Sequence, residues 1–142
     1  QEADVFFIHH QLAKVERNWS YRKRIWNTYN EQFANLPLIL PAPVEPNTRH
    51  AYHLYTILID EKKAGISRNE FLNRMNEEQI GTGVHYLSIP EHSYYQKTFG
   101  WNPDDYPNAK KIGRQTVSLP LSPKLTDNDV EYVVDTVRKI IN

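Results

Sequence analysis

Tyr52-His53-Leu54-Tyr55-Thr56-Ile57-Leu58-Ile59-Asp60 is the stretch on which the fold turns. It is rich in aromatic and β-branched residues and alternates imperfectly, which marks it as the best strand in the chain. Upstream, Pro37, Pro41, Pro43 and Pro46 lie close together. They rule out helix there and permit only short extended pieces, with Leu38-Ile39-Leu40 as an edge strand. Downstream, residues 61–66 read as a charged turn containing Gly65. Ser67 and Glu70 then form a capping box that opens a helix running to about residue 78, with Phe71, Leu72 and Met75 facing inward.

The rest of the chain extends this pattern. Residues 80–86 leave the helix and enter a short strand, and residues 87–101 read as an irregular, polar, aromatic-rich loop. A short helix over residues 106–116 is entered through Pro107. Ser118-Leu119-Pro120-Leu121 is extended, and Thr126 with Asp129 starts a last helix. There Val130, Val133, Val134, Val137, Ile140 and Ile141 recur at the helical period. At the other end, residues 3–34 read as one long helix with Leu12, Val15, Trp19, Trp26, Tyr29 and Phe33 on one side and Arg22 filling the gap. The expected fold class is α+β: a small antiparallel sheet with helices packed on one face.

Composition limits the function. The chain has 142 residues, 39% of them apolar, enough for one domain. Seventeen basic residues balance seventeen acidic ones, so the basic excess of a phosphate-binding nucleic-acid partner is missing. No apolar run approaches the ~20 residues that span a bilayer. With no cysteine there is no disulfide framework, thiolate metal site or cysteine nucleophile. The cytosol is the expected compartment. Met75 is the sole methionine, and the expectation is a piece of a longer polypeptide.

Six histidines raise a metal reading, but neither His9-His10 nor His50 and His53 has ligand spacing with a supporting carboxylate, and no metal site is expected. His85 is different. It follows Gly81-Thr82-Gly83 and opens into a segment holding His92, Tyr94 and Tyr95. A ligand-facing role and a structural hydrogen bond are equally open to it. Gly81-Thr82-Gly83 is too short for a phosphate loop. Arg49, Arg68 and Arg114 read as solvated or salt-bridged surface arginines. The residues as such describe a domain that lines a site without a full catalytic set: no catalytic, cofactor-binding or metal residue is expected in this chain.

Several motifs are specific in combination. They are Gly81-Thr82-Gly83-Val84-His85-Tyr86, His92-Ser93-Tyr94-Tyr95, Tyr106-Pro107-x-Ala109, and Ser118-Leu119-Pro120-Leu121-x-Pro123-x-Leu125-Thr126-Asp127. Gln11-Leu12-Ala13-Lys14-Val15-Glu16, residues 22–29 and His50-Ala51-Tyr52-His53-Leu54-Tyr55 agree with them in order. The chain so resembles the C-terminal domain of the DegT/DnrJ/EryC1/StrS family of sugar aminotransferases, which depend on pyridoxal 5'-phosphate (PLP). Two departures stand out: Phe6, Phe7 and Ile8 where small residues are common, and Ser88 where many members have proline.

The resemblance implies that residues 1–142 are the C-terminal small domain of an aspartate-aminotransferase-like (fold type I) enzyme. The helix over residues 3–34 would connect to a missing N-terminal large domain that carries PLP on a Schiff-base lysine. It also implies a homodimer with the active site at the subunit interface, and amino transfer from glutamate to a keto nucleotide-sugar. The lysines here (14, 23, 62, 63, 97, 110, 111, 124 and 139) lie outside the family's Ser-x-x-x-x-Lys context, so this chain alone is expected to be inactive. By position in the motif, His85, Tyr86 and His92 are the expected substrate-binding residues. Two alternatives remain open: a sugar dehydratase of the same family, and a free-standing protein-interaction module.

Overall fold

A computed structural model of the chain describes residues 10–141. Helix α1, Val15–Phe33, buries Ile25, Trp26, Tyr29 and Phe33 on one side. It is shorter than the helix expected over residues 3–34. Residues 3–9 lie outside the described part, and a turn at Ala13 and Lys14 separates α1 from the helical residues 10–12. The physical reason is local. No side chain caps α1 at Lys14, and among the described residues Leu12 is left 68% exposed. Among the described residues, core packing, which supplies most helix stability, begins at Trp19.

The central stretch forms strand β1, Tyr55–Leu58, trimmed at both ends. Tyr52 takes a φ of +47°, off the extended path, and Asp60 is already the cap of the next helix. Strand β2, Thr116–Leu119, pairs with β1 antiparallel, with Tyr55 opposite Leu119 and Ile57 opposite Val117. Ile39 joins the free edge of β1 through paired bonds to Leu58 of 3.1 and 2.9 Å. Gly83 does the same for β2, with Gly83 N donating to Ser118 O (3.1 Å) and Ser118 N donating to Gly83 O (2.8 Å). The sheet therefore runs Ile39, β1, β2, Gly83, all antiparallel. By alternation, Tyr55, Ile57, Val117 and Leu119 share the face turned toward the core, and Thr116 and Ser118 share the other.

Residues 61–64 form a single helical turn, α2 (Glu61–Ala64), where a charged turn was expected. Asp60 accepts from Lys62 N, and Gly65 ends the turn at φ +68°. Helix α3, Arg68–Glu77, begins at the expected cap with one half of the capping box, Ser67 Oγ accepting from Glu70 N (3.2 Å). The Glu70 carboxylate pairs with Arg74 one turn on. Phe71 and Met75 enter the core.

Helix α4, Ser93–Phe99, corrects the expectation of an irregular loop over residues 87–101. Gly100, at φ +66°, closes it. None of its residues is buried, so it carries no core-facing stripe for a periodicity reading to find. Its Tyr95 stacks instead on Phe99 and Trp101 outside the core.

Helix α5, Pro107–Gln115, starts at the expected proline. Helix α6, Asp127–Ile141, is capped by Thr126 Oγ1 accepting from Asp129 N, with the Asp129 carboxylate accepting from Thr126 N (2.7 Å). It buries its valine and isoleucine stripe against α1 and α3. Among the described residues no helix is long and apolar enough to cross a membrane.

Candidate functional site

The segment 81–92 leaves the sheet at Gly83 and is held at three further points. First, His85 Nδ1 lies 2.8 Å from Ser118 Oγ on β2. Second, Gly113 of α5 lets that helix approach the backbone of Leu87 and Ser88. A Cβ at Gly113 would stand 2.5 Å from Ser88 N. Third, Glu91 accepts from Ser88 Oγ (3.0 Å) and from Arg114 Nε on α5 (2.7 Å). Gln96 Nε2 also donates to Pro90 O, tying the start of α4 to the same segment.

Burial pushes the Glu91 carboxyl up, but the hydrogen bonds from Arg114 and Ser88 and the charges of Arg114 and Lys110 outweigh it. The group is held below the usual carboxylate range. A depressed carboxyl contributes stability that is present above its unfolded pKa of about 4.3 and is lost as pH falls through the folded value. Glu91→Gln is therefore expected to lower the thermal midpoint at pH 7. The gap to the unaltered chain should close as the pH drops below about 4, the ordinary carboxylate range. Thermal melts at a series of pH values check this, and a gap that persists at acid pH would assign the loss to packing.

His85 is half-buried, Tyr86 is 74% exposed, and their rings meet edge to face at 4.9 Å. The peptide between them is cis. His92 precedes α4 as an exposed residue and, among the described residues, shares no hydrogen bond or ring contact with His85 or Tyr86. The structure thus brings together two of the three residues expected from the sequence.

Sequence reading missed Ser118, Glu91 and Gly113 as the supports of His85. Gly113 alone carried a local signal. A glycine inside a helix costs about 1 kcal/mol relative to alanine and so points to a close approach.

The other candidates are structural. Arg49 pairs with Glu16 and lies 4.8 Å from the Trp19 ring; Arg68 reaches Thr116 O and Asn69 Oδ1. His50 Nδ1 accepts from Tyr52 N, with its ring against Trp26 and Tyr52. A cleft of about 570 Å³ opens beside the start of the 81–92 segment, lined by Gln79, Ile80, Gly81, Pro120, Leu125 and Tyr132 among its walls. A second, of about 300 Å³, lies between α1 and α6. Both of its arginines are already engaged, Arg24 with Asp127 and Arg138 with Gln32, and it includes no residue of 81–92.

The family model that describes the DegT/DnrJ/EryC1/StrS aminotransferase family matches residues 5–138. The chain belongs to that family. Among its DegT/DnrJ/EryC1/StrS relatives is the spore coat polysaccharide biosynthesis protein SpsC of Bacillus subtilis, 40% identical over 133 residues. That match takes in 93% of this chain and 34% of SpsC. Spr1654 of Streptococcus pneumoniae superposes with a TM-score of 0.82 at 27% identity, over 92% of this chain and 32% of that one. It has been solved in apo-, PMP- and PLP-forms. Helicobacter pylori PseC, an aminotransferase involved in the biosynthesis of pseudoaminic acid, superposes at 0.78 with 25% identity. That alignment covers 93% of this chain and 35% of PseC.

The chain spans about a third of the length of the relatives it matches. The fold class expected from the sequence holds, and PLP is the family's cofactor. No lysine among the described residues fits the Schiff-base role. A Schiff-base lysine must be desolvated so that its amine is unprotonated. All nine lysines are exposed or half-buried, and Lys139 is held protonated more firmly by Glu78. No step through the cofactor is assigned to residues of this chain.

Proposed function

We propose that these residues are the C-terminal small domain of a PLP-dependent sugar aminotransferase that moves an amino group from glutamate to a keto nucleotide-sugar. The observation that carries the reading is the family match over residues 5–138, joined to relatives about three times as long. In this reading the Schiff-base lysine and the cofactor belong to a large domain that precedes this chain. The enzyme is a cytoplasmic homodimer, and this chain alone is inactive. The absence of any buried lysine among the described residues supports that division of labour.

The part played here is binding and orientation of the sugar nucleotide. His85 supports it best: Nδ1 is engaged by Ser118, and the opposite nitrogen, Nε2, meets no protein partner among the described residues. The exposed Tyr86 ring beside it offers a flat apolar face with a hydroxyl at its tip. His92, exposed at the start of α4, is the third residue of this reading.

The test uses the native polypeptide from its source. Borohydride reduction followed by intact mass is expected to find a chain well above 16.7 kDa carrying one reduced cofactor. In that enzyme His85→Ala is expected to raise KM for the nucleotide sugar about tenfold, the worth of one lost hydrogen bond of ~1.4 kcal/mol. A native chain that holds no cofactor would overturn the enzyme reading, and an unchanged sugar KM would remove His85 from the site.

A further inference from the structure

We infer that Ser118 is a positioning residue: its hydroxyl donates to His85 Nδ1 and fixes the ring as the tautomer that carries its proton on Nε2. The ring then presents a hydrogen-bond donor to an oxygen lone pair of the substrate. The inference rests on the reading of His85 as substrate-facing and adds to it the polarity of the contact.

The assignment follows from hydrogen-bond accounting. Ser118 is only 5% exposed, and a buried hydroxyl that donates to nothing is costly. Among the described residues the sole hydrogen-bond partner of Ser118 Oγ is His85 Nδ1, at 2.8 Å. In the Nδ1–H tautomer the ring would donate to Oγ and leave the hydroxyl proton without an acceptor. In the Nε2–H tautomer the hydroxyl donates to the bare Nδ1 and every group at the contact is satisfied.

The backbone makes this placement stiff. Ser118 sits inside β2, paired with Gly83 on one side and opposite Thr56 on the other. Gly83 also forms the floor under the imidazole. A Cβ built there would lie 2.7 Å from Cε1 and 3.2 Å from Nδ1 of His85. The ring is thus set against bare backbone on one side and tied at Nδ1, which leaves its Nε2 edge as the end available to a ligand.

The test labels the native polypeptide with 15N-histidine, assigns the His85 signals by comparison with His85→Asn, and reads the two ring nitrogens by long-range proton–nitrogen correlation. Without ligand, His85 is expected to show a bare Nδ1 and a protonated Nε2. Ser118→Ala is expected to lose that preference and to raise KM for the nucleotide sugar about fivefold, while Ser118→Thr, which keeps the hydroxyl, restores both. A protonated Nδ1 in the unaltered protein overturns the inference without any variant having to fold. So does a tautomer that is unchanged in Ser118→Ala. A tautomer that shifts in Ser118→Ala with no change in sugar KM would keep the Ser118 contact but overturn the substrate-facing reading of His85.

Discussion

Tyr55→Ala is expected to cost about 3–5 kcal/mol of unfolding free energy, the range for removing a buried aromatic ring. Tyr55 is fully buried at the meeting point of sheet and α1. Its ring packs edge-on against Trp26 (4.9 Å) and Tyr29 (5.0 Å) and lies near Phe33, and its hydroxyl donates to Asn30 Oδ1 at 2.9 Å. Losing the ring empties the centre of the aromatic cluster that fastens α1 to β1. Tyr55→Phe keeps the ring and is expected to cost only about 1 kcal/mol, the net worth of one hydrogen bond. Denaturant titration of the two variants separates the terms.

The same burial raises the phenol pKa of Tyr55, and of Tyr29, well above the ordinary value. A group whose folded pKa is raised loses its stability contribution as pH rises past its unfolded value, here about 10. Alkaline unfolding is therefore expected above that pH, and more gently in Tyr55→Phe. An alanine variant as stable as the unaltered chain would mean that α1 is not held by this cluster.

Gly113→Ala is the second large effect. Alanine is the better helix former by about 1 kcal/mol, so on α5 alone the change would stabilise. The backbone of Ser88 reverses the sign. A new Cβ 2.5 Å from Ser88 N and 3.3 Å from the Leu87 carbonyl carbon must push the 81–92 segment off α5. Overpacking against backbone costs about 1–3 kcal/mol, which exceeds the helical gain across most of that range. Ser88 is three residues from His85, so the displacement is also expected to raise the sugar KM several-fold in the full enzyme. Gly81→Ala is the control: nothing lies within 4 Å of its added methyl, and its effect on stability should stay within about 0.5 kcal/mol. Thermal melts and sugar titrations of both variants decide. Equal behaviour of the two would mean that the α5 contact does not hold the site.

The legible parts of this protein are those whose causes are close in sequence. The Ser67 cap, the Pro107 entry, the Thr126–Asp129 cap and the valine stripe of α6 are each set within one or two turns of helix. The edge position of Leu38-Ile39-Leu40 was readable from its flanking prolines, and Ile39 does pair at the edge of β1. The aromatic stripe of α1 was legible where it is buried. The turn at Ala13 and Lys14 was not, because spacing cannot report that Leu12 is left exposed among the described residues. Helix α4 escaped for the converse reason: it forms on local bonds and a Gly100 stop with no buried face.

By itself, then, the sequence determined the fold class, the capped helices and, through its ordered motifs, the family, because these depend on local hydrogen bonding, periodicity and residue identity. It also pointed to His85, Tyr86 and His92. Only the tertiary structure decided how His85 is presented. Ser118, Gly113 and Arg114 come from β2 and α5, while the segment they hold follows α3. Those contacts exist only once the antiparallel ladder has brought residues 83 and 118 side by side, and a register is a property of two strands together.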